Sequence, residues 1–305
     1  MSSHSSKKGL VTKKFNEFFY VDVKDNFKLL DKKRFLCKSR KSLRFKSDFI
    51  FVGDEVNISQ INCAERTAII DNLISRKNFL ERPAVANISD IYVTFSVEEP
   101  KLDFSQVSKL LIHAEYLNVN TSLLLTKCDL ITDNLRNVLI EKFKGWGYHP
   151  KTLNLEKSSD FQSLINDLKT KKCSILMGPS GVGKTTLLNR IIPNLQNPTA
   201  SVSFKIKRGK NTTRNVELFS LNKDSYIVDT PGFNLNKIEI ASKYIALLFP
   251  EISNQIKQNQ FGCKFNDCLH IDEPGCQINK NFDRYKYYRK LIIEAKNRNY
   301  QNLGD

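Results

Sequence analysis

Residues 178–185 read Gly-Pro-Ser-Gly-Val-Gly-Lys-Thr, which matches the phosphate-loop pattern G-x-x-x-x-G-K-[ST]. No other run restricts the fold as much, because the chemistry of this loop needs a strand before it and a helix after it. Glycines let the backbone wrap a row of phosphates. Successive N–H groups then point inward as an anion nest, and the helix N-terminus adds partial positive charge. The neighbouring residues supply both elements: Ser174 to Met177 reads as a buried strand, and Thr186 to Ile192 carries helical spacing. Lys184 is placed to reach the β- and γ-phosphates, and the Thr185 hydroxyl to ligate Mg²⁺. The bland alternative is an ordinary glycine turn before a helix.

Two further motifs sit at the ends of strands. Asp229-Thr230-Pro231-Gly232 follows the strand Tyr226 to Val228, 45 residues beyond Lys184. An acidic residue there fits the role of holding Mg²⁺. Thr126-Lys127-Cys128-Asp129 follows Leu123 to Leu125 and resembles the Asn-Lys-x-Asp motif of GTPases, with Thr in place of Asn. In that motif the Asp carboxylate accepts from the guanine N1–H and 2-amino groups, which adenine cannot donate. The base-reading motif here precedes the phosphate loop, the reverse of the usual order, so the topology is circularly permuted. The segment after Asp229 therefore leads straight into the C-terminal region.

The rest of the chain reads as three textures. Phe18 to Val23, Arg34 to Lys38 and Phe49 to Val52 are aromatic and β-branched runs separated by basic loops. They predict a small barrel, of the five-stranded OB type or the SH3-like type. From about residue 86 strands alternate with helices: Ile91 to Phe95, a helix over 104–117, Leu123 to Leu125, and a helix through Leu135, Leu139, Ile140 and Phe143 ending near Gly145. This alternation implies parallel βαβ units. Beyond about residue 246 the chain is irregular, then helical and basic.

Cys263, Cys268, His270 and Cys276 have the spacing C-x4-C-x-H-x5-C. Three thiolates and an imidazole fill a tetrahedral Zn²⁺ shell, and four protein ligands make such a site structural rather than catalytic. The remaining cysteines, Cys37, Cys63, Cys128 and Cys173, are read as small buried residues.

The net charge is +16. It is concentrated in residues 7–46, at +10, and in 205–214 and 284–298, at +5 each. Such clustering is the footprint of a nucleic-acid binder. No run approaches the 18 consecutive apolar residues of a membrane span. The polar, basic stretch Met1 to Lys14 is not expected to be a secretory signal.

Taken together, these motifs resemble the ribosome small-subunit-dependent GTPase A family (RsgA/YjeQ) over nearly the whole chain. The likeness includes Val52-Gly53-Asp54-Glu55-Val56, the linker Arg76 to Pro83, the permuted motif order, the loop Gly178, Pro179, Ser180, Gly181, Val182, Gly183, Lys184, Thr185 and Thr186, the run Asp229 to Phe233, and the zinc-ligand spacing. The resemblance implies a multidomain α/β protein. An OB-type barrel would span residues 1–85, a circularly permuted P-loop GTPase domain with a mainly parallel sheet 86–245, and a zinc-binding helical domain 246–305. It also implies a cytoplasmic, monomeric GTPase that binds the small ribosomal subunit and its rRNA, acts late in subunit maturation, and hydrolyses GTP to GDP when engaged. Lys184, Asp229 and Thr213 of the switch-loop pair Thr212-Thr213 would serve catalysis, with Mg²⁺ on Thr185 and Asp229.

Two departures from the usual pattern bear on rate. Phe233 stands where Ras-type enzymes carry a water-orienting Gln, as is usual in this family. Asn211 stands where the family has a His, and an amide can bond a water but cannot act as a base. Intrinsic hydrolysis is therefore expected to be slow. The alternative reading is a nucleotide-gated rRNA-binding module with negligible catalysis.

Overall fold

The computed structural model describes residues 6–23, 33–40, 43, 49–154, 157–192, 216–229, 240–258 and 262–301. Asn211, Thr213, Phe233 and the basic run 205–214 lie outside them. In chain order the strands begin with β1 (Lys7–Phe15), β2 (Phe18–Val23), β3 (Lys33–Ser39), β4 (Glu55–Asn62), β5 (Thr67–Leu73), β6 (Phe79–Glu81) and β7 (Ala84–Ala86). They continue with β8 (Asp90–Ser96), β9 (Asn120–Thr126), β10 (Lys151–Thr152), β11 (Cys173–Met177), β12 (Glu217–Ser220) and β13 (Tyr226–Asp229). The helices are α1 (Phe104–Tyr116), α2 (Asp133–Gly145), α3 (Ser158–Lys169), α4 (Lys184–Ile191), α5 (Ser242–Ile245), α6 (Pro250–Gln258) and α7 (Tyr285–Gln301).

Backbone packing divides the chain into two compact units. The first comprises 1–91, 158–176 and 183–233, and the second the remainder. In the first, β1 to β5 close in the order β1-β2-β3-β5-β4 and back to β1, which is the OB arrangement rather than the SH3-like one. Alternation drives the closure. Val11, Phe19, Val21, Phe35, Cys37, Val56, Ile58 and Ile70 point inward and are buried together.

The run Phe49 to Val52 is not a strand. Only Val52 pairs, in an isolated bridge to Val85. Side chains take its backbone groups instead. The Phe51 N–H donates to the Asp54 carboxylate at 2.7 Å, and the Phe49 carbonyl accepts from Arg76. Asp54 is fully buried and also takes the Arg76 guanidinium at 2.7 and 2.9 Å. The barrel motif and the linker motif thus meet through one buried ion pair. Cys37, Cys128 and Cys173 are buried as expected, but Cys63 is exposed, because it lies in the turn joining β4 to β5.

The first unit also carries β11, β13 and β12, adjacent in that order, with β12 next to β1. β11 and β13 run parallel in the register Ile175↔Val228, so Asp229 leaves the sheet at the edge from which the phosphate loop departs. β12 meets β1 at Lys13↔Glu217, where the two side chains form a 2.6 Å ion pair.

In the second unit β10, β9 and β8 are neighbours, and β10 runs parallel to β9. Every residue of β8 is buried. Asp103 caps α1 by accepting from the N–H groups of Ser105 and Gln106, and Thr132 caps α2 through Leu135 N–H. Ile112 of α1 joins Ile245, Phe249, Ile252, Ile271, Tyr288 and Ile292 in a core that holds the C-terminal elements together. No helix among the described residues is long and apolar enough to cross a membrane.

Candidate nucleotide site and metal centre

The phosphate loop begins where a side chain has no room. A Cβ on Gly178 would lie 2.0 Å from the Thr94 carbonyl oxygen, so only glycine allows the loop to leave this close to β8. Gly181 and Gly183 have φ of +83° and +94°, left-handed values that turn the backbone around the loop. Gly183 caps α4 without a side-chain hydrogen bond. The helix thus opens on backbone N–H groups, the arrangement that receives an anion. Lys184 is the first residue of α4 and half-buried, and burial holds its ammonium below the ordinary lysine range. A nearby phosphate reverses that effect by favouring the charged form. Thr185 and Thr186 are exposed, as are Ser180 and Gly181, while Pro179 is half-buried and Val182 is buried.

The segment Thr126 to Asp129 is tied to this loop. Thr126 is fully buried, and its hydroxyl lies 2.7 Å from the Val182 carbonyl oxygen and 3.3 Å from that of Phe95. Lys127 is left-handed at φ +56° and its ammonium reaches the Glu99 carbonyl. Cys128 is buried, with its thiol donating to Leu125 O at 3.2 Å. Asp129 is exposed, in a short 3₁₀ turn over Cys128–Leu130. That turn places its carboxylate at the open surface, where a base edge can meet it. Asp229 ends β13 and is half-buried.

The four ligand atoms of Cys263, Cys268, His270 and Cys276 lie within 4.8 Å of one another. His270 Nδ1 is 3.6 Å from both the Cys263 and Cys276 sulfurs. Tetrahedral bonds of about 2.3 Å to sulfur and about 2.05 Å to nitrogen would put such atoms about 3.6 Å apart, so the spacing of His270 from these two sulfurs and the donor set both suit a metal ion. Burial, with the Cys263 and Cys276 thiols adding to it, pushes the Cys268 thiol up to about 12. Glu273 braces the loop by accepting from the N–H groups of Leu269, at 3.2 Å, and Ile271, at 2.8 Å. Tyr285 of α7 donates to the His270 carbonyl at 3.0 Å, which joins the cluster to the C-terminal helix.

Sequence reasoning missed Thr94, whose carbonyl makes Gly178 obligatory, and Glu273. It also placed Arg284 in a basic run read as a nucleic-acid footprint, whereas Arg284 is fully buried. The guanidinium lies 4.5 Å from the Phe249 ring and 5.1 Å from Trp146, and donates to Ser108. Tyr-Lys-Tyr-Tyr directly after it was the available signal of an aromatic setting.

The chain is similar to known proteins. The RsgA GTPase family model matches residues 73–239. A curated Prochlorococcus marinus (strain NATL1A) protein, "Small ribosomal subunit biogenesis GTPase RsgA", is 42% identical over 95% of each chain. A protein of the same name from Synechococcus sp. (strain CC9311) is 36% identical over 90% of each. Among solved structures, YjeQ from Thermotoga maritima superposes with a TM-score of 0.77 at 29% identity, covering 95% of this chain and 99% of its own. YloQ, described as a circularly permuted GTPase, gives 0.78 at 25% identity, covering 97% and 96%.

Proposed function

The chain belongs to the RsgA GTPase family, and on that premise we propose that it hydrolyses GTP while engaged with the small ribosomal subunit, late in the maturation of that subunit. The observation that carries this reading is the bond from Thr126 to Val182, which fixes a guanine-reading loop to a phosphate loop. In this reading residues 1–85 form the rRNA-binding barrel, 86–245 the permuted GTPase domain and 246–305 the zinc domain. The protein works as a cytoplasmic monomer.

Gly178 to Thr186 hold the phosphates through backbone N–H groups, and the Lys184 charge stabilises the negative charge that develops on the transferring phosphoryl group. The Thr185 hydroxyl and Asp229 carboxylate are the protein ligands for Mg²⁺, which when bound neutralises the phosphate oxygens. Asp129 accepts from the guanine N1–H and 2-amino groups, and Thr126 to Cys128 position it. Zn²⁺ fits the Cys263, Cys268, His270 and Cys276 set and would fix the loop that α7 packs upon. Thr213 would serve catalysis, and Asn211, as an amide, can bond a water but not remove its proton. With Phe233 in place of a carboxamide, water is poorly oriented and basal turnover is slow.

The test is GTP turnover with and without purified small subunits. A many-fold acceleration is expected, and an unchanged rate would overturn the assembly-factor reading. Single-turnover cleavage on the subunit separates this from a nucleotide-gated RNA module without catalysis.

A further inference from the structure

Phe49 is 68% exposed, the largest exposure of any large apolar side chain among the described residues. A single exposed ring is ordinary on a protein surface, but this one ends a built column. Its centroid lies 6.3 Å from that of Phe51, and Phe51 lies 4.8 Å from Phe79. The Arg76 guanidinium covers both inner rings, at 5.1 and 5.0 Å, and is held by the buried Asp54 carboxylate and the Phe49 carbonyl. On the barrel side the Lys14 ammonium stands 5.4 Å from the Phe51 ring and donates to Ile50 O at 3.2 Å. The cations are therefore held by hydrogen bonds, the two inner rings are half-buried beneath them, and the outermost ring is the exposed one.

We infer that Phe49 is a stacking platform for an unpaired ribosomal RNA base, with Lys14 supplying positive charge for an adjoining phosphate and the Asp54-paired Arg76 holding the rings beneath. The inference rests on the rRNA-binding reading above and adds to it the form of RNA recognised. A duplex backbone needs cations alone, whereas a flat aromatic face set among fixed cations matches a splayed-out base. The surface belongs to the β3–β4 connection and its packing against β6, not to the β2–β3 face on which OB barrels usually hold oligonucleotides. An apolar protein partner is disfavoured by the cations that flank the ring.

The experiment measures binding of the full chain to purified small subunits and, separately, to single-stranded oligouridylate, at fixed salt. The variants are Phe49→Ala, Phe49→Leu and Phe49→Trp. Loss of one stacked base weakens binding by about five- to 150-fold. That loss is expected for Ala and for Leu, with Trp near the parent, since Leu keeps apolar surface but has no π-face. The dependence on salt should be unchanged in Phe49→Ala and shallower by about one unit of log–log slope in Lys14→Gln. Parent-like binding by Phe49→Ala would overturn the inference, and parent-like binding by Phe49→Leu would make the contact merely apolar. If the parent itself fails to bind subunits, the assembly-factor reading falls. The oligouridylate series then decides the stacking platform alone: Ala and Leu losses support it, and parent-like binding by either sinks it. Thermal melts within about a degree of the parent confirm that the exposed position leaves the fold intact.

Discussion

Thr126 and Val182 stand 56 positions apart in sequence, and 2.7 Å separates the hydroxyl of one from the carbonyl oxygen of the other. The family's usual residue at 126 is Asn. Thr keeps a donor toward the phosphate loop and gives up the amide. From this contact Thr126 is expected to act as a tether between loops and not as a reader of the base. Thr126→Val preserves the shape and leaves the buried Val182 carbonyl without this partner, at a cost of about 1–3 kcal/mol. The expected result in an equilibrium competition assay is weaker binding of GTP and GDP by about five- to 150-fold, with the GTP-to-ATP preference unchanged. A collapse of that preference would assign Thr126 to base reading.

Asp129 is the position where preference should change. Its carboxylate is exposed and has two acceptors, which would suit the two guanine donors. Asp129→Asn replaces one acceptor with a donor, which matches xanthine, whose C2 position carries an oxygen. XTP should then compete better than GTP, with hydrolysis recovered when XTP is supplied. Retained GTP preference in this variant would show that another group reads the base.

Glycine substitutions separate packing from mere composition. Gly178→Ala places a methyl group 2.0 Å from the Thr94 carbonyl oxygen, which cannot move without distorting β8. The variant should lose nucleotide binding and melt several degrees lower. Gly145, at the end of α2, has nothing within 4 Å of an added Cβ. Gly145→Ala should be neutral or stabilising by up to about 1 kcal/mol. Equal melting temperatures for the two variants would mean that the loop tolerates the methyl group.

What could be read in advance was what lies close in sequence. The phosphate loop, the Cys₃His spacing, β2, β3, β8, β9, α1 and α2 declare themselves by short-range pattern. The partners that fix them are distant. Gly178 is obligatory because of Thr94, Asp54 is buried because of Arg76, and Thr126 matters because of Val182. The apolar run at Phe49 to Val52 misled for the same reason, since Asp54 and Arg76 take backbone groups that a strand would have paired. The OB closure likewise depends on the parallel pairing of β3 with β5, two strands distant in sequence, which no local pattern specifies.

Removing a metal ligand should act locally. Cys268→Ser takes one thiolate from the four-ligand cluster and should abolish bound metal in elemental analysis of the purified chain. The loop carrying His270 would then lose its anchor, and Tyr285, which donates to the His270 carbonyl, would lose its partner. Hydrogen exchange should accelerate across 262–301 while amides of β11 and α4 keep their protection. Full metal content with an unchanged exchange map would contradict the ligand assignment.

The penalty for losing Arg284 should depend on pH. Arg284 is enclosed by Phe249, Trp146 and Tyr148, donates to Ser108, and stands 3.6 Å from a Glu251 carboxylate oxygen without a hydrogen bond between them. Burial raises the Glu251 pKa above the ordinary glutamate value, and Arg284 opposes that rise. Arg284→Met removes the opposing charge, so the folded-state pKa of Glu251 climbs further while the unfolded value stays near 4.3. Between those two values the folded chain binds the extra proton, so stability falls as pH rises through the folded pKa. The variant should therefore be destabilised by about 3–5 kcal/mol at pH 8 and by less at pH 5.5, in urea unfolding monitored at Trp146. Adding Glu251→Gln removes the titrating group, so the double variant should recover part of the loss at pH 8 and show no difference in penalty between the two pH values. A penalty for Arg284→Met that is the same at both pH values would mean that Glu251 is not held by Arg284, and that the guanidinium acts through the aromatic cage and Ser108 alone.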